Sequence, residues 1–206
     1  RYGLWPSKKF RYQFGFLTHQ HLDLAVRRHI HEPVILMAYC ALGLYSFRKN
    51  KKLGGINICD KGSTHIEYQE EIMKEEFDRY GIRFNSYYQR RIDKEVKEYH
   101  EADFINVPSK FVYNSFLKKG IPEKKLNLIH YGARVSRFKP IDFEINNKKY
   151  YKKKNFEILF VGIFGIRKGA IDILEAFKNF DHPNKLLTII GSLSKTGKNL
   201  LQNDGT

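Results

Sequence analysis

Residues 34–59 read VILMAYCALGLYSFRKNKKLGGINIC, and their succession of strand, helix and strand decides the fold class. Val34 to Tyr39 is a run of bulky apolar residues that predicts a buried strand, beginning where Pro33 has stopped the preceding segment. Leu42 to Leu53 then reads as a short helix. It ends in lysines suited to the negative end of a helix, and Gly54-Gly55 stops it. Ile56 to Cys59 is a second short strand. Two strands joined through a helix predict a parallel α/β unit.

The same alternation extends outward. Upstream, Leu22, Ala25, Val26 and Ile30 recur at helical spacing, whereas Arg1 to Phe16 mixes aromatic and basic residues without a period. Downstream of the loop Asp60 to Thr64, a helical stripe runs through Ile66, Ile72, Met73, Phe77 and Tyr80, with Glu70, Glu71, Glu75 and Glu76 towards water and Gly81 as the break. Tyr88, Ile92, Val96 and Tyr99 mark another helix, and Phe104 to Val107 a strand. Ser109 caps a helix from Lys110 to Lys119 that Gly120 and Pro122 end, and Leu126 to Ile129 is a further strand. Residues 146–155, NNKKYYKKKN, have almost nothing to bury and predict a linker. Behind them come a buried strand at Phe156 to Val161, a glycine-punctuated loop at Gly162 to Gly169, a helix at Ala170 to Phe180 and a strand at Leu186 to Ile190. The expected division is therefore 1–127, a strand and linker over 128–155, and a second domain over 156–206. Two strands and one helix cannot close a doubly wound sheet, so this second domain is expected to be incomplete.

Composition narrows the partners. With 42% hydrophobic and 29% charged residues the chain has a core to bury and is not of the disordered class. Its formal net charge of +15 favours nucleic acid, an anionic membrane surface or phosphorylated substrates; a lysine-rich solvated surface accounts for it equally well. No RNP-like aromatic pattern, zinc knuckle or helix-turn-helix signature accompanies the charge, so no nucleic-acid partner is expected. Cys40 and Cys59 lie in apolar stretches and read as small core residues of a reducing compartment. No cysteine or histidine cluster has metal-ligand spacing, and His19, His21, His29 and His31 read as a mixture of surface and core residues. The apolar run Val34 to Phe47 is short for a membrane span, and no signal peptide is evident, so a cytoplasmic location is expected.

Two stretches carry candidate chemistry. In Phe160 to Gly169, FVGIFGIRKG, a strand runs into Gly162 and Gly165 before Arg167-Lys168-Gly169 opens a helix. Amides at a helix start beside two cations suit a diphosphate; a plain strand-to-helix turn with surface cations is the alternative. The spacing matches neither the Walker pattern nor the dinucleotide glycine pattern. In Asp60 to His65, DKGSTH, the loop leaves the carboxyl end of a strand, where ligands collect in open α/β sheets. His65 there can donate to a substrate hydroxyl or leaving group, or it can simply start a helix that Ser63 or Thr64 caps and Glu67 completes.

Taken together these pieces resemble glycosyltransferase family 4, the retaining enzymes of the two-domain GT-B type. Ala102 to Pro140, ADFINVPSKFVYNSFLKKGIPEKKLNLIHYGARVSRFKP, is similar to the family's run through a P-S-x-F-V segment, a G-hydrophobic-P turn and a Y/N-G-V-D-x-x-x-F-x-P segment. Ile158 to Phe177, ILFVGIFGIRKGAIDILEAF, is similar to its I-L-F-V-G…K-G…L-L-E-A-F stretch, and Asn57 to Gln69, NICDKGSTHIEYQ, to a subgroup with E-R-G-S-x-H. The resemblance implies two Rossmann-like domains with parallel sheets, a nucleotide-sugar donor, and a glycan or lipid-linked acceptor reached by peripheral contact with the cytoplasmic face of a membrane. It implies no cofactor and no metal. Gly165, Arg167 and Lys168 would face the donor diphosphate, and His65 would sit near the transferred sugar. The chain departs from the pattern at Ile163, where the family often has arginine, and at Arg134, where it has an acid. The acidic E-x-x-E-like donor motif is not reached, so the resemblance implies a piece of an enzyme. A basic module that grips nucleic acid or an anionic membrane without catalysis is the competing expectation.

Overall fold

The computed structural model describes residues 8–86, 89–138 and 156–203. The chain divides into two compact units, Arg1–Lys74 with Phe84–Gly132, and Glu75–Arg83 with Ala133–Thr206. The linker expected at Asn146 to Asn155 and the aromatic Tyr88 lie outside the described residues.

In the first unit a long helix α1 (Lys8–His29) precedes β1 (Ile35–Tyr39), α2 (Leu44–Lys52), β2 (Ile56–Asp60), α3 (Ile66–Arg79, of which Ile66 to Lys74 belong to this unit), α4 (Gln89–Glu101), β3 (Phe104–Val107), α5 (Lys110–Lys118) and β4 (Leu126–Leu128). The four strands form one parallel sheet in the order β1-β2-β3-β4, with Ile35 opposite Ile56, Ile58 opposite Phe104 and Ile105 opposite Leu126. Parallel neighbours need a crossover, and α2, the α3–α4 pair and α5 supply the three. One sheet face and these helices share a core built on Phe47, Cys59, Ile66, Tyr99, Ile105 and Phe116.

The opposite face differs from expectation. Val34 to Tyr39 reads as a buried strand, yet β1 is the sheet edge and Ile35, Met37 and Tyr39 are exposed, as are Ile56 and Phe104 beside them. A parallel strand apolar on both faces is built to be covered on both. Among the described residues only one face is covered.

Helix α1 is also longer than its periodicity predicts, because the periodic part begins only at Leu22. Asp23 within the helix and Ile30 just beyond its end are the buried residues of this region, while Phe14, Leu17, Leu22 and Val26 are exposed. The helix is tied down by one polar anchor instead of an apolar stripe. The Asp23 carboxylate accepts from the amides of Tyr45 and Ser46, both at 2.9 Å, and from the Ser46 hydroxyl at 2.7 Å. From the other side, Glu98 of α4 accepts from the amides of Ala41, Gly43 and Leu44. Two buried carboxylates from distant helices thus satisfy the amides that open α2, which has no side-chain cap of its own. Lys94, itself buried, brings a cation 3.6 Å from Asp23. Ala41, the bend between β1 and this cap, holds a left-handed φ of 75°.

Elsewhere the local signals hold. Ser109 accepts from the amide of Val112 at 3.3 Å and caps α5. Gly81 ends the α3 segment in a left-handed conformation.

The second unit contains β5 (Phe156–Val161), a 3-10 turn at Ile166–Lys168, α6 (Ala170–Asn179), β6 (Lys185–Ile190) and α7 (Lys195–Asn203). β5 and β6 pair in parallel, Phe160 opposite Ile189, and form a two-stranded sheet. Phe160, Leu187 and Ile189 pack with Phe164, Ala170 and Leu174. Leu159, Val161, Leu186 and Ile190 on the other face are exposed, so Phe156 to Val161 is half-covered, not buried. Helix α7 has no counterpart in the sequence reading. Its segment offers Leu200 and Leu201 as the residues that reach the core and carries Gly197 inside, which weakens any helical signal. That glycine is required, because a Cβ there would collide with the carbonyl of Phe164.

Candidate functional site

The turn after β5 is held from within. Phe164 is buried edge-on against Phe160 at 5.1 Å, and Ile166 is buried beside it. Between these two pegs Gly165 lies against the Ser194 side chain with no room for a Cβ. The 3-10 turn is closed by Lys168 and Gly169 donating to the carbonyls of Gly165 and Ile166, each at 2.9 Å. Gly169 then takes a left-handed φ of 69° and opens α6, and no side chain caps that helix start. The result sets Arg167 and Lys168 out on the exposed side of the turn, with buried neighbours fixing the backbone beneath them. Three of the sequence candidates therefore come together, in two different ways. Arg167 and Lys168 are surface cations at a helix start; Gly165 is buried and serves close packing.

The loop Asp60 to His65 is organised inward. Lys61 leaves the end of β2 and meets Glu95 of α4 at 2.5 Å, with both side chains buried. The second oxygen of Glu95 accepts from Arg91 at 2.8 Å, while Tyr99 and Cys40 donate to the first at 3.0 and 3.3 Å. Burial alone would push the Glu95 carboxyl up, but the Lys61 ammonium and the Arg91 guanidinium outweigh it and hold the group at about 2. Burial keeps the Cys40 thiol and the Tyr99 phenol well above their ordinary values.

His65 closes this loop as the residue before α3, so neither Ser63 nor Thr64 stands at the cap position. Its amide donates to the Ser115 hydroxyl at 3.0 Å, and its ring packs 4.8 Å from Tyr99 and 5.1 Å from Phe116. The ring is 2% exposed and its Nδ1 has no hydrogen-bond partner among the described residues. Burial, with Lys119 and Lys61 nearby, drives its pKa down to about 4, so the imidazole is neutral at neutral pH. The imidazole that the resemblance sets near the transferred sugar is thus packed into the core between Tyr99 and Phe116.

Above the loop, Gly62 is exposed and the Tyr131 hydroxyl lies so close that a Cβ would strike it. His130, next to it, has Nδ1 3.0 Å from the carbonyl of Pro108. These residues cluster at the carboxyl ends of β2, β3 and β4, which is where open parallel sheets place ligands. Nothing in the spacing of the Tyr131-Gly132 segment signals that it lies over the DKGSTH loop.

One further grouping was not legible in the sequence. The ligand atoms of Cys40, Cys59 and Glu98 lie within 4.8 Å of one another. Each group already has other work: Glu98 accepts from three amides, Cys40 donates to Glu95, and Cys59 fills the core. His19, His21, His29 and His31, expected as a mixture, are all exposed. Among the described residues no helix is long and apolar enough to cross a membrane. No protein-family model and no curated protein matches the chain.

Proposed function

We propose that the chain is part of a retaining GT-B glycosyltransferase that moves a sugar from a nucleotide donor to a glycan or lipid-linked acceptor. The observation that carries this reading is the turn from Gly162 to Gly169, with two exposed cations at an uncapped helix start behind a parallel strand. Its chemistry suits a leaving diphosphate. As the bond between the anomeric carbon and the diphosphate breaks, negative charge grows on the departing oxygen, and fixed cations with amide dipoles stabilise it. Arg167 can grip two phosphate oxygens through its planar fork, and Lys168 acts as a point charge beside it. Gly165 lets the turn pack closely enough to hold both in place. In this reading His65 positions the DKGSTH loop from below and does not contact the sugar.

The test is titration of the full chain with uridine and guanosine diphosphates, followed by amide NMR shifts and calorimetry. Binding in the range of about 1 mM is expected from the diphosphate contacts alone, with shifts concentrated at Gly162 to Ala170. Lys168→Ala should weaken it about tenfold, as loss of one charge-assisted contact does. No shift in that turn, or equal affinity in Lys168→Ala, would sink the reading.

A further inference from the structure

Among the described residues, Lys94 of α4 is a buried cation without a hydrogen bond: its side chain is 4% exposed and its Nζ meets no acceptor. It pairs with Asp23 Oδ2 at 3.6 Å, but that carboxylate already accepts from the amides of Tyr45 and Ser46 and from the Ser46 hydroxyl. The ring of Tyr45 has its centroid 5.9 Å from the ammonium. An ammonium carries three donors, and burying it with none of them placed is costly. A buried group of this kind calls for an acceptor from outside the chain.

The same lysine lines a cavity of about 370 Å³ between α1, α2 and α4, within the range of small-molecule sites. Leu44 and Tyr45 in its wall open the helix that follows β1, so the cavity lies toward the carboxyl end of that strand, the side on which open parallel sheets collect ligands. Phe16, Leu17, Leu44 and the ring of Tyr45 give the cavity an apolar wall. Arg90 and Lys97, both exposed, add their charges to that of Lys94. Asp93, the acid among the described lining residues, accepts from Gln89 at 2.8 Å. Cations in excess over one engaged acid attract an anion, and the apolar wall selects one that carries a hydrocarbon or aromatic body.

We propose that this cavity binds a small organic anion, a carboxylate or phosphate monoester on an apolar body, with Lys94 as the partner of its charged head. The head takes the hydrogen bonds that Lys94 lacks, and the body packs against Phe16 and Tyr45. An inorganic anion would satisfy the cations and leave the apolar wall wet. A neutral ligand would cover the wall and leave the ammonium unanswered. The cavity uses no residue of the Gly162 to Gly169 turn, so the proposal stands apart from the donor reading.

Calorimetric and amide NMR titration of the full chain with benzoate and with phenyl phosphate tests it, with benzyl alcohol as the neutral ring and acetate as the head alone. Expected is binding of an aryl anion at about 1 mM, with shifts at Gln20, Leu44 and Tyr45. The alcohol and acetate should bind about tenfold more weakly or worse. The tighter of the two aryl anions identifies the head, and benzoate, having no phosphate, reads the cavity apart from the donor turn. Lys94→Met should weaken binding by about tenfold or more. Leu17→Glu, at an exposed position, sets a carboxylate beside the cations and should do the same while leaving the Lys94–Asp23 pair intact. An unchanged circular dichroism spectrum and urea midpoint establish that Leu17→Glu folds, so it carries the test even where Lys94→Met does not fold. Absence of binding by both aryl anions, equal affinity for benzyl alcohol, shifts confined to other parts of the chain, or wild-type affinity in Leu17→Glu would overturn the proposal.

Discussion

At the scale of single residues, His65 and Lys61 show what a loop sequence hides. Unfolded, His65 takes a proton near pH 6.5; folded, it resists one until about 4. The unfolded chain therefore binds more protons between those values, and stability is lost as pH falls through that window. The full contribution is roughly 3 kcal/mol at 1.36 kcal/mol per unit. Glu98, raised by burial to about 7, tilts stability the opposite way over part of the range, so the comparison must be made against a variant. His65→Phe fits between Tyr99 and Phe116 and should show no such loss; urea midpoints of both proteins from pH 7 to 4 check it. Parallel curves would mean that the imidazole is not buried neutral. Lys61→Met should cost about 3 kcal/mol, since it leaves a buried Glu95 with Arg91 as its one remaining cation. The DKGSTH stretch was legible as a loop at the end of a strand, because Cys59 closes an apolar run. That Lys61 points inward was not legible, because its partner lies 34 residues away. Nor could spacing reveal that the imidazole has aromatic neighbours from α4 and α5.

At the scale of elements, α2 illustrates a helix whose start is written elsewhere in the chain. Leu42 looks like its first residue because Ala41, Leu42 and Gly43 carry no polar cap, and the helix begins two residues later. The missing cap is supplied by Asp23 and Glu98. Asp23→Ala would orphan two amides, leave the Ser46 hydroxyl with only the main-chain carbonyl of residue 23, and leave Lys94 a buried cation without its counter-charge, a loss of about 3–5 kcal/mol. Asp23→Asn keeps an acceptor and should cost less. Chemical denaturation of both variants checks the ranking, and equal losses would mean that the charge contributes nothing. The alternation of strands and helices from β1 to β6 was legible, because apolar runs and glycine stops are local. α1 was half-legible, since its anchor is a single buried aspartate and not a repeating stripe. α7 was missed because two leucines in nine residues are too few to set a period.

At the scale of the molecule, the two units differ in how well their sheets are closed. β2 and β3 each have a strand on both sides, whereas β5 and β6 have only each other among the described residues. Amides in β5 and β6 should exchange with solvent on the order of 100-fold faster than those in β2 and β3. Hydrogen exchange read by mass spectrometry checks this, and equal protection would mean that the small sheet is stabilised by more than its packing on α6 and α7. Finally, the edge position of β1 bears on how the protein behaves in a tube. An edge strand with unpaired backbone groups, with Ile35, Met37 and Tyr39 exposed on it, is a template on which another molecule can pair. What keeps copies apart is their mutual repulsion at +15, and that repulsion shrinks with the Debye length, from about 10 Å at 0.1 M salt to about 3 Å at 1 M. The protein should therefore be clear in dilute buffer and turbid in brine, the reverse of ordinary salting-in, and Met37→Lys should keep it clear in both.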